Sequence, residues 1–470
     1  MNEIDTNSTA SITVTQEQKM RYIRWGLLLL VSFVIAANYY AYDAMSSIKE
    51  VLQTELKISS TDYGIIVSFY GFPNTFLLMT VFGGIFLDRF GIRKTGFLFT
   101  LFCALGVFLT AYGSSDFFRS GGIGYSLFKS FLPGYSPEMK MMILGRLLYG
   151  LGAETSIVVV NKILVKWFKG KELSFAFAVS LAIARVGTAA ALIFSPILIE
   201  TGAGWTLALW VAAMLMGIAV MFFIVYMAYD KRFTPKEKKG SLLAADERFN
   251  FKDIVGLLKN KSFILISLLC VTFYSAVFPF QAYCPDFLHN KFAVSLKTSG
   301  MLSSLIIWGT ILFTPIFGWF VDRKGKRATL MLYGSGMLLA AHLILSLTNL
   351  TPYAAMFIIG IAFSLVPAAM WPGVARIVEE KRLGTAYGIM TSIQNIGLFA
   401  FPIAAGAITD AVNKGITPEM LKAGQASLNY TYTILMFAGL GLLGFLYAFL
   451  LKRMDAKEGN NRLEHPEIEE

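Results

Sequence analysis

Glu154 and Arg185 stand inside apolar runs on either side of the short basic turn Trp167-Phe168-Lys169-Gly170-Lys171-Glu172. Glu154 lies fifteen residues before Lys169, and Arg185 lies fifteen after Gly170. If the two runs are antiparallel helices, the carboxylate and the guanidinium come level near the middle of a bilayer. An ionisable side chain at that depth is costly and points to a functional site. One acid and one base at one depth suit a ligand that carries both signs, because neither an ammonium nor a carboxylate enters a low-dielectric cavity unpaired. Arg185 suits the carboxylate through its planar fork, which leaves Glu154 for the ammonium. A permanent ion pair bracing the two helices is the alternative reading, and a binding pair would also close on itself when empty.

Other side chains extend the constellation. Asn161 lies seven residues beyond Glu154, on nearly the same helix face. Tyr42, Tyr70, Tyr274 and Trp371 are candidate aromatic walls of a cavity, or else ordinary core and interfacial aromatics. Lys162 sits one turn from the end of its run, where it either touches the cavity or snorkels to the interface. His342, in another apolar run, reads as a neutral core imidazole.

These residues need membrane-spanning elements to hold them. The 470 residues are 56% hydrophobic and 15% charged, with a mean hydropathy of +0.60, too apolar for a soluble protein. Runs of bilayer length recur. They predict an all-α polytopic protein with twelve transmembrane helices at 22–43, 61–87, 95–113, 139–166, 172–199, 204–229, 262–287, 298–321, 327–348, 352–378, 383–410 and 427–451. The net charge of +11 comes from basic residues in short loops on one side of this pattern, such as Arg89, Arg93 and Lys94, or Arg323, Lys324 and Lys326. The positive-inside rule places that side, and both termini, in the cytoplasm. Topogenic charge of this kind argues against a nucleic-acid partner. The polar start, Met1–Gln18, is not a signal peptide. Cys103, Cys270 and Cys284 have no metal-ligand spacing, so neither metal nor cofactor is expected.

The chain divides in the middle. A polar tail at 1–20 precedes a six-helix bundle at 21–229, a linker at 230–261, a second six-helix bundle at 262–452 and a polar, disordered tail at 453–470. Within the linker, KDIVGLLKN suits a short interfacial helix. The long loop from Ser114 to Ser136 reads as a cap or as a folded surface loop. The two bundles share a motif between their second and third spans. Gly84, Asp88, Arg89 and Gly91 in the first match Gly318, Asp322, Arg323 and Gly325 in the second, as G-x-x-x-D-R-x-G before further basic residues. A repeat at equivalent positions argues for duplicated, pseudo-symmetric bundles. Gly84 and Gly318 are expected to allow close helix approach, and Gly91 and Gly325 a sharp turn. Each Asp is expected to bond a helix N-terminus or a nearby Arg in one conformation and release it in the other, which makes the motif a gating element.

This loop resembles the signature of the major facilitator superfamily. The resemblance implies two bundles around a central cavity lined by the first, fourth, seventh and tenth spans. Asn38–Asp43, Phe69–Asn74, GxGAE (which ends at Glu154), WFKGKELSFAF, ARVG, Ala276–Phe280, Ala368–Pro372 and LGTAYGIMTSIQNIG resemble, more narrowly, the branch of lysosomal dipeptide transporters. That resemblance implies a dipeptide carrier working by facilitated diffusion, with Glu154 and Arg185 at the two peptide termini; Asn161 could then reach the peptide bond. Arg146, in GRLLYG, resembles an arginine with proton or gating roles in the superfamily and reads equally as structural. Met1–Gln18 holds no acidic dileucine sorting signal, so the cell inner (plasma) membrane is expected rather than the lysosome. The expected partners are a small-molecule substrate and membrane lipid, with the monomer as the working unit.

The competing functions are an organic-anion or sugar-acid porter with proton coupling and a transporter-like nutrient sensor. An enzyme is not expected: the chain has no G-x-S-x-G, H-E-x-x-H or Walker loop.

Overall fold

The computed structural model describes residues 4–202, 204–233, 251–379, 382–457 and 461–466. Among these, helices account for every regular element. The first half runs α1 (Ile4–Asp43), a 3-10 turn (Ser46–Ile48), α2 (Lys49–Leu56), α3 (Ser60–Ser68), α4 (Phe72–Phe76), α5 (Met79–Ser114), α6 (Asp116–Arg119), α7 (Tyr125–Ser130), α8 (Pro137–Phe168), α9 (Leu173–Glu200) and α10 (Leu207–Phe233). The second half runs α11 (Phe251–Lys259), α12 (Lys261–Phe292), α13 (Leu296–Lys324), α14 (Arg327–Leu347), α15 (Pro352–Ile377), α16 (Leu383–Val412), α17 (Pro418–Lys422) and α18 (Thr431–Lys457).

Eleven helices among the described residues are individually long and apolar enough to cross a membrane. The expected continuous span at 61–87 is instead three pieces, α3, α4 and the start of α5. Pro73 in the first turn of α4 brings no backbone donor to the preceding helix, and Leu78 adopts a left-handed φ of 49°. The chain turns again inside α5 at Gly91, whose φ of 80° and ψ of 169° are outside helical values, and continues as the third crossing. Gly325 makes the matching turn in the second half with φ 66°.

Packing sorts the helices into two groups. In the first half α5 lies along α8, and α1 along α9 and α10; in the second, α14 lies along α18 and α15, and α12 along α18 and α16. The groups meet where α3 runs beside α16 and α9 beside α13. At the end of the molecule where α3 begins, polar contacts join them. Lys49 is buried with Nζ 2.5 Å from Asp286 and 2.8 Å from the Tyr430 hydroxyl, against the rings of Tyr63, Tyr283 and Tyr430. Asp410 accepts bonds from the Ser60 and Thr61 amides at 2.9 and 2.8 Å, which caps the start of α3 from the other half. Lys422–Glu55 adds a more exposed bridge at 2.9 Å.

The opposite end is held within each half. Lys162 pairs with Asp88 at 2.5 Å, and Asp230 receives Arg93 at 2.8 Å and Lys166 at 2.7 Å. Asp88 thus bonds a lysine of α8, where an arginine or a helix N-terminus was expected. Asp322 is exposed and has no ion pair among the described residues, while Arg323 lies over its own neighbour Trp319 at 4.8 Å. Gly84 and Gly318 have open space where a Cβ would stand. They do not mediate close helix approach, because each is half-exposed on its helix.

The tail after Lys452 is partly ordered, contrary to expectation. Helix α18 continues to Lys457, and residues 461–466 dock on the Gly325–Arg327 turn. Lys326 and Arg327 donate their amides to the Glu464 and Leu463 carbonyls at 3.0 and 2.7 Å. The Glu464 carboxylate accepts the Thr329 amide at 2.9 Å, and Leu463 is buried. The apolar plug and the helix cap together order an otherwise polar segment. Similarly, α1 begins at Ile4, within the expected N-terminal tail. The KDIVGLLKN segment forms α11, whereas linker residues 234–250 lie outside the described residues. The loop from Ser114 to Ser136 folds into α6 and α7, anchored by buried Phe118.

Candidate functional site

A cavity of about 500 Å³ lies between the two halves, within the size range of small-molecule sites. Glu154, Arg185, Asn161, Tyr42, Tyr70, Tyr274 and Trp371 all line it. These residues come from α1, the α3–α4 turn, α8, α9, α12 and α15, which the sequence spreads over more than three hundred positions.

Glu154 and Arg185 do not form an ion pair among the described residues. The Tyr70 hydroxyl donates to Glu154 Oε1 at 3.1 Å. Tyr70 reaches it because the second crossing breaks at this residue, and because Gly150 lets the turn pack onto α8: a Cβ there would stand 2.0 Å from the Tyr70 carbonyl oxygen. The Arg185 guanidinium lies over Phe363 at 4.8 Å and Tyr39 at 5.6 Å. In this conformation the two charges therefore face the cavity separately, without an ion pair between them. Aromatic rings stabilise Arg185 through their faces and leave its donor edges available.

The other walls are aromatic. Tyr42 meets Tyr70 edge-on at 4.8 Å and Phe278 of the other half at 6.1 Å. Trp371 Nε1 donates to the Tyr274 hydroxyl at 2.9 Å, and Tyr274 stacks on Phe278 at 5.8 Å. Asn161 is exposed on the wall of α8 toward the Lys162 end. Lys162 itself is absent from the cavity lining, its ammonium being engaged by Asp88. Arg146 is buried behind the wall, caged by the rings of Tyr42, Tyr149 and Tyr70 at 5.4, 5.4 and 5.7 Å.

The gating candidates sit elsewhere. Gly84, Asp88, Arg89, Gly91, Gly318, Asp322, Arg323 and Gly325 are all absent from the cavity lining.

Asp43 was not singled out from the sequence, yet it lines the cavity and is almost wholly buried. Gln281 of the second half donates to its Oδ1 at 3.0 Å. The same signal that identified Glu154, a carboxylate in an apolar run, was present at Asp43. Tyr39, Tyr149, Phe278, Thr391 and Gln394 also contribute to the lining. Gln394 and Thr391 stand out as polar residues in an apolar span, and the Gln394-Asn395 amides are legible in the sequence; nothing in the residue types of Tyr39, Tyr149 and Phe278 separates them from other aromatics of the spans.

Comparison with known proteins agrees with this architecture. The sequence profile of the Major Facilitator Superfamily matches residues 28–371 and 282–468. The lysosomal dipeptide transporter MFSD1 of Bos taurus is 31% identical over 397 residues, covering 82% of this chain and 79% of the relative. The Homo sapiens protein of that name is 30% identical over 82% of this chain and 80% of its own length. The probable galactarate/D-glucarate transporter GarP of Escherichia coli K12 is 23% identical, with 85% and 91% covered. Among solved structures, a mutant of the nucleoside transporter NupG superposes with a TM-score of 0.70 at 16% identity, covering 91% of this chain and 99% of its own. A mutant of the peptide transporter POT, in complex with sulfate, superposes with a TM-score of 0.66 at 12% identity, covering 93% and 95%. The MFSD1 relatives are named lysosomal, so they lend no support to the expected inner-membrane address. With its helical halves, interposed cavity and profile match, the chain belongs to the major facilitator superfamily and is a multi-pass membrane transporter.

Proposed function

We propose that this transporter carries dipeptides by alternating access. Glu154 receives the peptide ammonium, Arg185 the carboxylate and Asn161 the peptide bond, while Tyr42, Tyr70, Tyr274 and Trp371 accommodate side chains. The observation that carries this reading is the presence of Glu154 and Arg185 on one cavity without an ion pair between them. A zwitterion supplies the charges that they do not supply to each other, so its desolvation is offset without first breaking a bridge. The dipeptide transport named for the MFSD1 relatives supports the same substrate class.

The loop charges orient the Lys49 end outward and both termini toward the cytoplasm. The contacts of Lys49 and Asp410 then hold the outer side shut, and the cavity is reached from the cytoplasmic side. Rocking the halves breaks these contacts and exposes the same site outward. The Asp88–Lys162 pair at the first of the two repeated loops biases the balance between the two states. The chain works as a monomer, since each half contributes to one shared cavity.

A sugar-acid porter is the second reading, favoured by the GarP relative and by Arg185 as a carboxylate ligand. Counterflow in liposomes containing the full chain, with Ala-Ala, Ala-Lys and Ala-Glu against galactarate, separates the two. Glu154→Gln and Arg185→Ala are expected to lose dipeptide transport while inserting normally. Survival of transport in both variants overturns the site assignment; movement of galactarate alone overturns the substrate class.

A further inference from the structure

The Arg185 contacts contain a residue that the substrate reading does not use. Phe363 lies on α15, in the second half, whereas Arg185 lies on α9, in the first. The guanidinium carbon is 4.8 Å from the Phe363 ring centre and 5.6 Å from that of Tyr39. Phe363 is almost wholly buried and does not line the cavity. Its own position is set by edge-on contacts with Phe278 at 5.4 Å and Tyr274 at 6.1 Å. Arg185 makes no ion pair among the described residues, and its guanidinium packs against these two ring faces.

We propose that Phe363 is a positioning residue: it holds the Arg185 guanidinium by its face so that the edge of the fork is presented to a substrate carboxylate. The proposal rests on the reading of Arg185 as the carboxylate ligand. A guanidinium has two chemically different surfaces. Its faces are weakly hydrated and stack on aromatic rings, while its N–H donors point outward in the plane. Stacking therefore leaves the bidentate edge available and removes side-chain freedom before the carboxylate arrives. Because the ring belongs to the other half, the carboxylate ligand is fully oriented only when α9 and α15 approach as they do here. Substrate affinity and the relative placement of the halves are thereby linked through one stacking contact.

The test uses the full chain in liposomes and measures counterflow across a range of Ala-Ala concentrations. Phe363→Leu keeps an apolar side chain and removes the ring face; Phe363→Tyr keeps the face. The expected result is a half-saturation concentration raised about 2- to 30-fold in Phe363→Leu, the range of cation–π contacts from exposed to desolvated sites, with the maximal rate little changed. Phe363→Tyr should restore the half-saturation value to near wild type. An unchanged half-saturation value in Phe363→Leu overturns the proposal, as does an equal loss of maximal rate in both variants, which marks a packing role. If wild type moves galactarate and no dipeptide, the dipeptide reading fails separately. The same comparison on galactarate then decides the role of Phe363, because that substrate also presents a carboxylate to Arg185. If wild type moves neither, both readings fall.

Discussion

The Tyr70 hydroxyl donates to Glu154 Oε1 at 3.1 Å across a cavity wall that exists only because the second crossing breaks at Tyr70. A hydrogen bond to a carboxylate is worth about 1.5–3 kcal/mol. Tyr70→Phe should therefore raise the half-saturation concentration for a dipeptide about tenfold or more while the protein still inserts. Counterflow kinetics measure this, and an unchanged value would mean that Tyr70 does not orient the Glu154 carboxylate for substrate.

Buried Lys49 and Asp286 join the two halves at 2.5 Å. Removing one partner strands the other charge, at a cost of about 3–5 kcal/mol. Lys49→Met should thus favour separation of the halves at this end. The native cysteines Cys103, Cys270 and Cys284 are all buried, so a single Ser46→Cys reporter, itself at a buried position, can be followed by maleimide labelling. Faster labelling in Lys49→Met is expected. The idea of an ionic latch is wrong if the labelling rate does not change.

The docked tail places Leu463 in the core and the Glu464 carboxylate on the Thr329 amide at 2.9 Å. Losing a buried leucine costs about 2–5 kcal/mol, and losing a helix cap about 1 kcal/mol. Truncation after Lys457 should lower the thermal unfolding midpoint in detergent, with Leu463→Ala accounting for most of the change. Identical midpoints for the truncated and full-length chains would rule out a stabilising tail.

Gly91 turns the chain with φ 80° between the second and third crossings. With ψ at 169° this is backbone that only glycine adopts freely, and a side chain there costs on the order of 1–3 kcal/mol. Gly91→Ala should lower the thermal midpoint, whereas Gly84→Ala, with open space around its Cβ position, should leave it near wild type. Equal effects at the two glycines would mean that the turn conformation at Gly91 is not what requires glycine there.

Part of this architecture is legible without coordinates because bilayer physics acts on short stretches. A crossing needs about 20 apolar residues, so eleven of the twelve expected crossings correspond to single helices. The same local reasoning misses the break in the second crossing. Gly71 and Pro73 are breakers set in a largely apolar stretch, and the break is fitted by the Tyr70–Glu154 contact, by the close passage of α8 at Gly150 and by Phe69, Phe72 and Phe76 packing on Phe399 of the other half. The C-terminal tail is similar: its composition is polar, but its order depends on a pocket for Leu463 and a helix end for Glu464, both formed by distant residues.

That the chain crosses a membrane repeatedly, that its halves repeat one loop motif, and that Glu154 and Arg185 are charges set inside apolar runs can all be read from residue types in order. Each is a consequence of residue type and spacing along one segment. Long-range packing places the two charges apart, rests Arg185 on Phe363 of the other half, turns Lys162 to Asp88 and brings Asp43 to the cavity wall. These outcomes depend on competition among partners brought together from different helices. No local pattern encodes which partner a charged side chain meets first.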